Sequence, residues 1–178
     1  MRPSLSSPRR SRLSAAVALG LLFGVCALPT AARPLWGPDE PVLTGVLQRW
    51  HPVTLTFDGP GADESDTRNP FRDYRLTVTF RHEAGGDTYV VPGYFAADGA
   101  AAETGATGGT KWRVHFLPRA TGAWTYTASF RTGEDVALRL DPQAGTAAAF
   151  DGATGRFTVG ETERHGRDLR GRGLLRYV

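Results

Sequence analysis

The stretch KWRVHFLPRATGAWTYTASF, residues 111–130, decides the fold that the sequence predicts. Apolar and polar side chains alternate over residues 111–116 and again over residues 124–130. Alternation with a period of two, in aromatic and β-branched residues, is typical of half-buried strands. Pro118 and Gly122 lie between the two runs and favour a turn. We therefore predict two strands that form the densest part of the core. Their inward-facing aromatic residues are Trp112, Phe116, Trp124, Tyr126 and Phe130.

Similar alternation predicts further strands along the chain. The clearest is at residues 74–81, where Tyr, Leu, Val and Phe alternate with Arg and Thr. The other predicted strands lie at residues 46–57, 88–95, 136–140 and 156–159, and Pro92 and Gly93 interrupt the second of them. Seven or eight short strands without a long amphipathic helix predict an all-β fold, an antiparallel β-sandwich.

Two segments between these strands are predicted to be loops. Residues 58–69 are rich in turn-forming residues, and residues 96–110 consist mostly of Ala, Gly and Thr, of which glycine and threonine oppose a helix. The pattern Gly122-x-Trp124-x-Tyr126 is similar to a corner of immunoglobulin-like sandwiches, where a tyrosine hydroxyl bonds to the main chain. This similarity favours an immunoglobulin-like arrangement of the strands.

The first 32 residues are typical of a secretory signal peptide. Four arginines precede an apolar run at residues 13–28, and small residues follow at 30–32. This order of basic, apolar and small residues is typical of export signals. The apolar run is shorter than the roughly 20 residues of a membrane span. We therefore expect cleavage after Ala32, a secreted or periplasmic protein, and no stable insertion in a membrane.

The charge of the chain depends on this leader. It holds four of the 21 Lys and Arg residues and none of the 18 Asp and Glu residues, so its removal changes the formal charge from +3 to −1. A nucleic-acid partner is therefore not expected, because nucleic-acid-binding domains are usually basic. Cys26, the one cysteine of the sequence, also lies in the leader, so the exported domain would be stabilised by its core without a disulfide.

The sequence lacks the common catalytic motifs, such as Gly-x-Ser-x-Gly, His-Glu-x-x-His and the phosphate-binding glycine loop. Asp98 and Glu103 flank the Ala- and Gly-rich loop, and paired carboxylates can hydrolyse glycosides. A flexible loop, however, does not fix the separation of such a pair. The histidines show no ligand spacing; they are His51, His82, His115 and His165. We predict no catalytic residue and no cofactor.

The acidic loop is a weak candidate for a calcium site. Its carboxylates are those of Asp58, Asp63, Glu64 and Asp66. Calcium requires six to eight oxygen ligands, and the spacing of an EF-hand is absent. Solvated carboxylates in a turn are the alternative interpretation, and we predict no metal site.

Exposed aromatic rings are the feature of this sequence that best fits ligand binding, because a flat ring with a polar end can stack on a sugar. The aromatic residues of the stretch at 111–130 lie on the inward face, where core packing is favoured. The pattern does not decide the burial of four others, which are the candidates for stacking on a glycan: Trp50, Tyr89, Tyr94 and Phe95.

The predicted organisation has four parts. A signal peptide at residues 1–32 and a flexible lead-in at 33–45 precede the β-sandwich at 46–160. Residues 161–178 are predicted to be a charged linker that ends at the beginning of another strand. A strand without a following partner indicates a further domain in the full gene product.

Four motifs occur in an order that resembles a known family. They are NPFRDYRLTVTF (69–80), VPGYFAADG (91–99), KWRVHFLPRATGAWTYTASF (111–130) and DGATGRFTV (151–159). Together they resemble the domain of unknown function at the N-terminus of bacterial secreted, predicted glycoside hydrolases. There it precedes an apiosidase-like TIM barrel, and a C-terminal domain described as collagen-binding often follows the barrel.

The resemblance implies an immunoglobulin-like accessory module whose partner is a glycoside hydrolase barrel, normally in the same polypeptide. In such relatives the segment that corresponds to residues 165–178 leads into the barrel. The catalytic carboxylates belong to the barrel, so the resemblance gives no residue of this chain a catalytic role.

Three hypotheses follow. The first is a secreted, non-catalytic module that supports the barrel of a polysaccharide-degrading glycoside hydrolase, binds plant or other polysaccharide, or does both. The second is a truncated piece of an active glycoside hydrolase. The third is a surface domain that binds a protein.

Overall fold

The structure is a computed structural model that describes residues 40–173. The predicted signal peptide, most of the predicted lead-in and residues 174–178 lie outside this range. The described residues form nine strands and one short helix. The elements are β1 (Val42–Gly45), β2 (Val53–Asp63), β3 (Tyr74–His82), β4 (Thr88–Pro92), β5 (Tyr94–Phe95), α1 (Ala101–Thr104), β6 (Gly108–Phe116), β7 (Gly122–Thr132), β8 (Thr146–Ala147) and β9 (Thr154–Val159).

The strands form two antiparallel sheets, as the sequence predicts. The first sheet has the order β1-β2-β6-β5, and the second has the order β4-β3-β7-β8. Strand β9 pairs with β7 on the same edge as β8. The alternation in residues 111–130 therefore gives β6 and β7, which lie in different sheets. No helix among the described residues is long and apolar enough to cross a membrane.

Aromatic side chains fill the space between the sheets. Phe80 of β3 stacks on Phe116 of β6, with the ring centroids 4.1 Å apart. Trp112 of β6 meets Phe130 of β7 edge to face, at 4.8 Å. Such pairs stabilise the fold by about 0.5–1.5 kcal/mol beyond the burial of their area. All five predicted core aromatics are buried: Trp112, Phe116, Trp124, Tyr126 and Phe130.

The N-terminal strands differ from the prediction. Residues 42–45, assigned to a flexible lead-in, form β1, which pairs with the part of β2 that begins at Val53. Residues 46–52 are not in a strand, so the strand predicted at 46–57 begins only at Val53. It then continues to Asp63, through half of the predicted loop, because a bulge between Asp58 and Ala62 absorbs Gly59, Pro60 and Gly61.

The strand predicted at residues 136–140 is also wrong. Residues Val136–Leu138 form a 3₁₀ turn. The guanidinium of Arg75 donates to the carbonyl oxygens of Val136 and Arg139, at 3.2 and 2.9 Å, and to those of Asp141 and Pro142. One side chain thus satisfies main-chain acceptors that a neighbouring strand would otherwise satisfy.

Two smaller expectations are corrected as well. The predicted loop at 96–110 contains the single-turn helix α1, which Gly105 ends in the left-handed conformation. The tyrosine corner is not formed: among the hydrogen bonds within residues 40–173, none involves the Tyr126 hydroxyl. That hydroxyl packs against Gly155, where a Cβ atom would collide with it.

Candidate functional site

The four candidate aromatic residues lie in different environments. Phe95 is only 6% exposed and packs on Trp112 with the centroids 5.1 Å apart, so it cannot stack on a ligand. Tyr89 is half-buried against Phe116 and Trp124. Trp50 is half-buried in the turn before β2. Tyr94 is 43% exposed, and it is the candidate whose ring is most accessible.

The pairing of β5 with β6 places Tyr94 on the outer face of the first sheet. Tyr94 lies opposite Arg113, and Phe95 lies opposite the buried Trp112. Since successive side chains of a strand point to opposite faces, the two aromatic neighbours are divided between solvent and core.

A chain of hydrogen bonds holds the Tyr94 ring. Its hydroxyl lies 2.9 Å from Nε2 of His115, and Nδ1 of His115 lies 2.8 Å from Oγ1 of Thr54. A neutral imidazole donates at one nitrogen and accepts at the other, so it can bond to both hydroxyls. The chain crosses β5, β6 and β2, and it reduces the freedom that Tyr94 would lose on binding a ligand.

A shallow groove of about 330 Å³ borders one side of Tyr94. Its polar lining comes from Glu103, Arg113 and His115. The Arg113 Nε atom donates to Oγ1 of Thr56 at 3.1 Å. Gly99 has φ of +90°, and a Cβ atom at this position would lie 3.1 Å from Nη2 of Arg113. Glycine thus allows the guanidinium to approach the loop.

A second cleft, of about 280 Å³, borders the other side of Tyr94 at the edge of the sandwich. Phe71, which is 55% exposed, and Pro92 line it together with part of the Trp112 side chain. Tyr94 therefore stands between a groove that contains the charged side chains of Glu103 and Arg113 and a mostly apolar cleft. We name the outer surface formed by Tyr94, Glu103, Arg113 and His115 the Tyr94 surface.

The carboxylate of Asp98, near this surface, is held by hydrogen bonds within its own loop. Asp98 accepts hydrogen bonds from the Thr104 hydroxyl and the Ala100 amide, both at 2.7 Å. The Thr104 hydroxyl, and then the amide, lower the pKa of Asp98. A general acid for glycoside hydrolysis needs a raised pKa instead. Asp98 therefore serves to order the loop around α1.

The acidic loop is held together by hydrogen bonds within the protein. Asp58 binds the Lys111 ammonium at 2.5 Å and the Thr110 hydroxyl at 2.9 Å, and these bonds lower its pKa. The Ser65 hydroxyl and amide lower the pKa of Asp63 in the same way, and Asp66 accepts the Asp63 amide. Glu64 donates its amide to Thr107 O. Over residues 40–173, no group of three His, Cys, Asp or Glu residues could hold a metal ion.

The sequence did not identify His115 as part of a site, although the alternation over residues 111–116 puts it on the polar face of its strand. Two other histidines contact the protein itself. His82 Nε2 lies 2.8 Å from Thr121 O, and the side chain of His51 is buried. The sequence pattern does not predict that β5 pairs with β6. This pairing brings Tyr94 to His115, which is 21 positions away in the sequence.

Residues 46–131 match the family model described as Domain of unknown function (DUF5060). The DUF5060 match covers just under half of the 178 residues and contains β2 to β6 and nearly all of β7. It includes Tyr94, Glu103, Arg113 and His115.

One solved structure is also similar. It is the crystal structure, at 1.80 Å resolution, of "a putative glycoside hydrolase" from Bacteroides vulgatus ATCC 8482. The identity is 24% and the TM-score 0.44, and the likeness covers 70% of this chain and 17% of that chain. This chain thus spans less than a fifth of that protein. No curated protein matches the chain.

Proposed function

We propose that this chain is a secreted, non-catalytic accessory module of a polysaccharide-degrading glycoside hydrolase, and that it binds glycan at the Tyr94 surface. The observation that carries the binding proposal is the exposed ring of Tyr94, held by His115 and bordered by a groove on each side.

The chemistry of the surface fits a sugar chain. An aromatic ring covers the apolar face of a pyranose, while neighbouring polar groups bond to its hydroxyls. Glu103 supplies an acceptor, and Arg113 supplies donors in the same groove. The groove is open and shallow, which suits a segment of a long polymer better than an enclosed small molecule.

The sequence motifs support the link to a hydrolase. Three of the four motifs that resemble the N-terminal module of predicted glycoside hydrolases lie within the DUF5060 match, and the fourth, at residues 151–159, follows it. The partner in this proposal is the hydrolase barrel of the same polypeptide. The signal peptide predicted at residues 1–32 supports secretion or a periplasmic location.

Affinity electrophoresis of the full chain through gels that contain plant polysaccharides tests the binding proposal. We expect at least one polysaccharide to retard the wild-type chain. Tyr94→Ala should weaken binding by about five- to tenfold, since stacking of a ring contributes roughly 1.0–1.4 kcal/mol. Tyr94→Phe keeps the ring and should retain most of the retardation.

Matched controls show whether the weaker binding of Tyr94→Ala is specific to the Tyr94 surface. Val90→Ala removes an exposed apolar side chain from β4, outside both grooves, and should leave the retardation unchanged. Phe71→Ala shows whether the glycan extends into the apolar cleft. Wild-type chain that migrates freely on every polysaccharide would contradict the binding proposal, and release of reducing sugar would contradict the non-catalytic role.

A further inference from the structure

The turn before β2 contains an unusual backbone conformation. Trp50 has φ of +67°, in the left-handed region that bulky residues rarely adopt. Such a conformation costs free energy and persists only where surrounding contacts impose it. We call residues 48–51 the Trp50 turn, and we call residues 160–173, which follow β9, the exit segment.

Contacts within the sandwich fix the Trp50 turn. The Trp50 amide donates to Pro118 O at 2.9 Å, and the His51 amide donates to Gln48 O at 3.2 Å. His51 is 4% exposed, and its Nδ1 lies 3.0 Å from Arg49 O. A proton on Nδ1 would donate to that carbonyl, so the buried ring supports the turn from within.

The same turn binds the beginning of the exit segment. The Arg49 amide donates to Gly160 O, and the Gly160 amide donates to Leu47 O, each at 2.9 Å. The Arg49 guanidinium also forms an ion pair with Glu161, at 2.8 Å. Gln48 and Gly160 thereby form a parallel bridge. These contacts connect the residue that follows β9, in the second sheet, to the Trp50 turn.

The Trp50 ring binds the other end of the exit segment. A Cβ atom on Gly173 would lie 2.8 Å from Cε2 and 2.9 Å from Cζ2 of Trp50, so the main chain at Gly173 lies directly on the indole. Gly173 has φ of +83°. The Arg49 guanidinium carbon lies 5.8 Å from the centroid of the same ring.

Between these two contacts the exit segment folds on itself. The Asp168 carboxylate accepts two hydrogen bonds from the Arg170 guanidinium, at 2.9 and 2.7 Å. The Arg172 guanidinium donates to Gly166 O at 3.1 and 2.8 Å. A segment whose composition predicts a charged linker is therefore a closed loop with both ends on the sandwich.

We propose that the Trp50 turn is a docking site for the exit segment, and that it fixes the direction in which the polypeptide leaves the sandwich at Gly173. The partner that it positions is the part of the same polypeptide beyond this residue. A free Gly- and Arg-rich linker would let the following part swing, whereas a docked one acts as a rigid connection. The docking site shares no residue with the Tyr94 surface, so it does not depend on glycan binding.

Limited trypsin digestion of the full chain tests this proposal, because the exit segment carries its own cleavage sites. These sites follow Arg164, Arg167, Arg170 and Arg172. Cleavage of a docked segment requires local opening, so its rate follows the population of the open form. Mass spectrometry assigns each cut. We expect Trp50→Ala to raise the rate of cleavage in the exit segment by about tenfold.

Gly173→Ala tests the same contact without altering Trp50, and its control is Gly152→Ala. Gly152 has nearly the same φ, +81°, but a Cβ atom there would meet nothing within 4 Å. We expect faster cleavage in Gly173→Ala and wild-type cleavage in Gly152→Ala. This pair remains informative if Trp50→Ala does not fold, which far-ultraviolet circular dichroism would show.

Two results would overturn the proposal. One is cleavage of the wild-type exit segment as fast as that of a peptide with the sequence of residues 160–173. The other is a Gly173→Ala chain that is cleaved no faster than Gly152→Ala. Tyr94→Ala should leave the cleavage unchanged, so the failure of glycan binding and the failure of docking are measured separately.

Discussion

At the scale of single residues, Asp73 connects three parts of the chain through one carboxylate. Its Oδ2 accepts the Asn69 amide and its Oδ1 accepts the Asp135 amide, each at 3.0 Å. The Arg72 guanidinium binds the same carboxylate at 3.0 and 3.1 Å. Arg72 above all, and then the Asp135 amide, lower the pKa of Asp73 from 3.8 to about 2.

This shift predicts how stability depends on pH. Asp73 binds its proton less tightly in the folded chain than in the unfolded chain. The ionised carboxylate of Asp73 therefore stabilises the fold, and this stabilisation is complete above the pKa of 3.8 in the unfolded chain. The effect is lost as the pH falls from about 4 towards 2. Thermal unfolding should therefore show a lower Tm for Asp73→Asn than for wild type at pH 7, and a smaller difference at pH 2.5. A constant difference at both values would contradict the assignment.

The residue scale also shows what the sequence could predict of the site. The sequence pattern names both Tyr94 and Phe95 as candidates, because it does not decide the burial of either. Which of them faces solvent depends on the pairing of β5 with Arg113 and Trp112, far away in sequence. Alternation predicts that neighbouring side chains of a strand point to opposite faces. Only the pairing with a strand that is distant in sequence decides which of the two faces packs on the core.

At the scale of elements, the connection from β4 to β5 is one of the three points where the chain changes sheets. Strand β4 pairs with β3 and β5 pairs with β6, with Gly93 between them. A Cβ atom at Gly93 would collide with the Leu76 side chain and lie 2.8 Å from Arg113 O. The crossing therefore requires a residue without a side chain.

This close packing predicts that Gly93→Ala destabilises the protein by about 1–3 kcal/mol, as overpacking of a core does. Gly61→Ala is the matched control, because a Cβ atom there would lie 4.0 Å from its nearest neighbours and φ is not positive. We expect the control to remain within about 0.5 kcal/mol of wild type. Urea unfolding measures both, and equal effects of the two substitutions would refute the steric explanation.

The elements that the sequence predicted correctly are those in which alternation alone decides the structure, such as β3, β6 and β7. The pattern predicts the wrong element where a side chain that is distant in sequence binds the main chain. Residues 136–140 are apolar enough for a strand, but Arg75 binds their carbonyl groups and leaves Leu138 and Leu140 exposed. Likewise the composition of the Gly- and Pro-rich half of β2 predicts a loop, although pairing with β6 resumes beyond its bulge.

At the scale of the whole molecule, the aromatic pairs cross from one sheet to the other. Phe116 of β6 contacts Phe80 of β3 at 4.1 Å and Trp124 of β7 at 5.1 Å, so neither sheet buries its inner face without the other. Residues 40–173 contain no cysteine, since the one cysteine of the sequence is Cys26. The sandwich thus depends on this shared core, and its two sheets should unfold together.

Urea unfolding followed by tryptophan fluorescence and by far-ultraviolet circular dichroism should therefore give coincident transitions, unaffected by a reducing agent. Phe116→Ala should shift both transitions together by about 3–5 kcal/mol, since it removes a large buried ring of the first sheet that packs on Phe80 and Trp124 of the second. Thr127→Ala, on the exposed face of β7, should change the stability by less than about 1 kcal/mol. If the two probes reported separate midpoints in Phe116→Ala, the sheets would be independent units, and the shared aromatic core would not account for the stability of the sandwich.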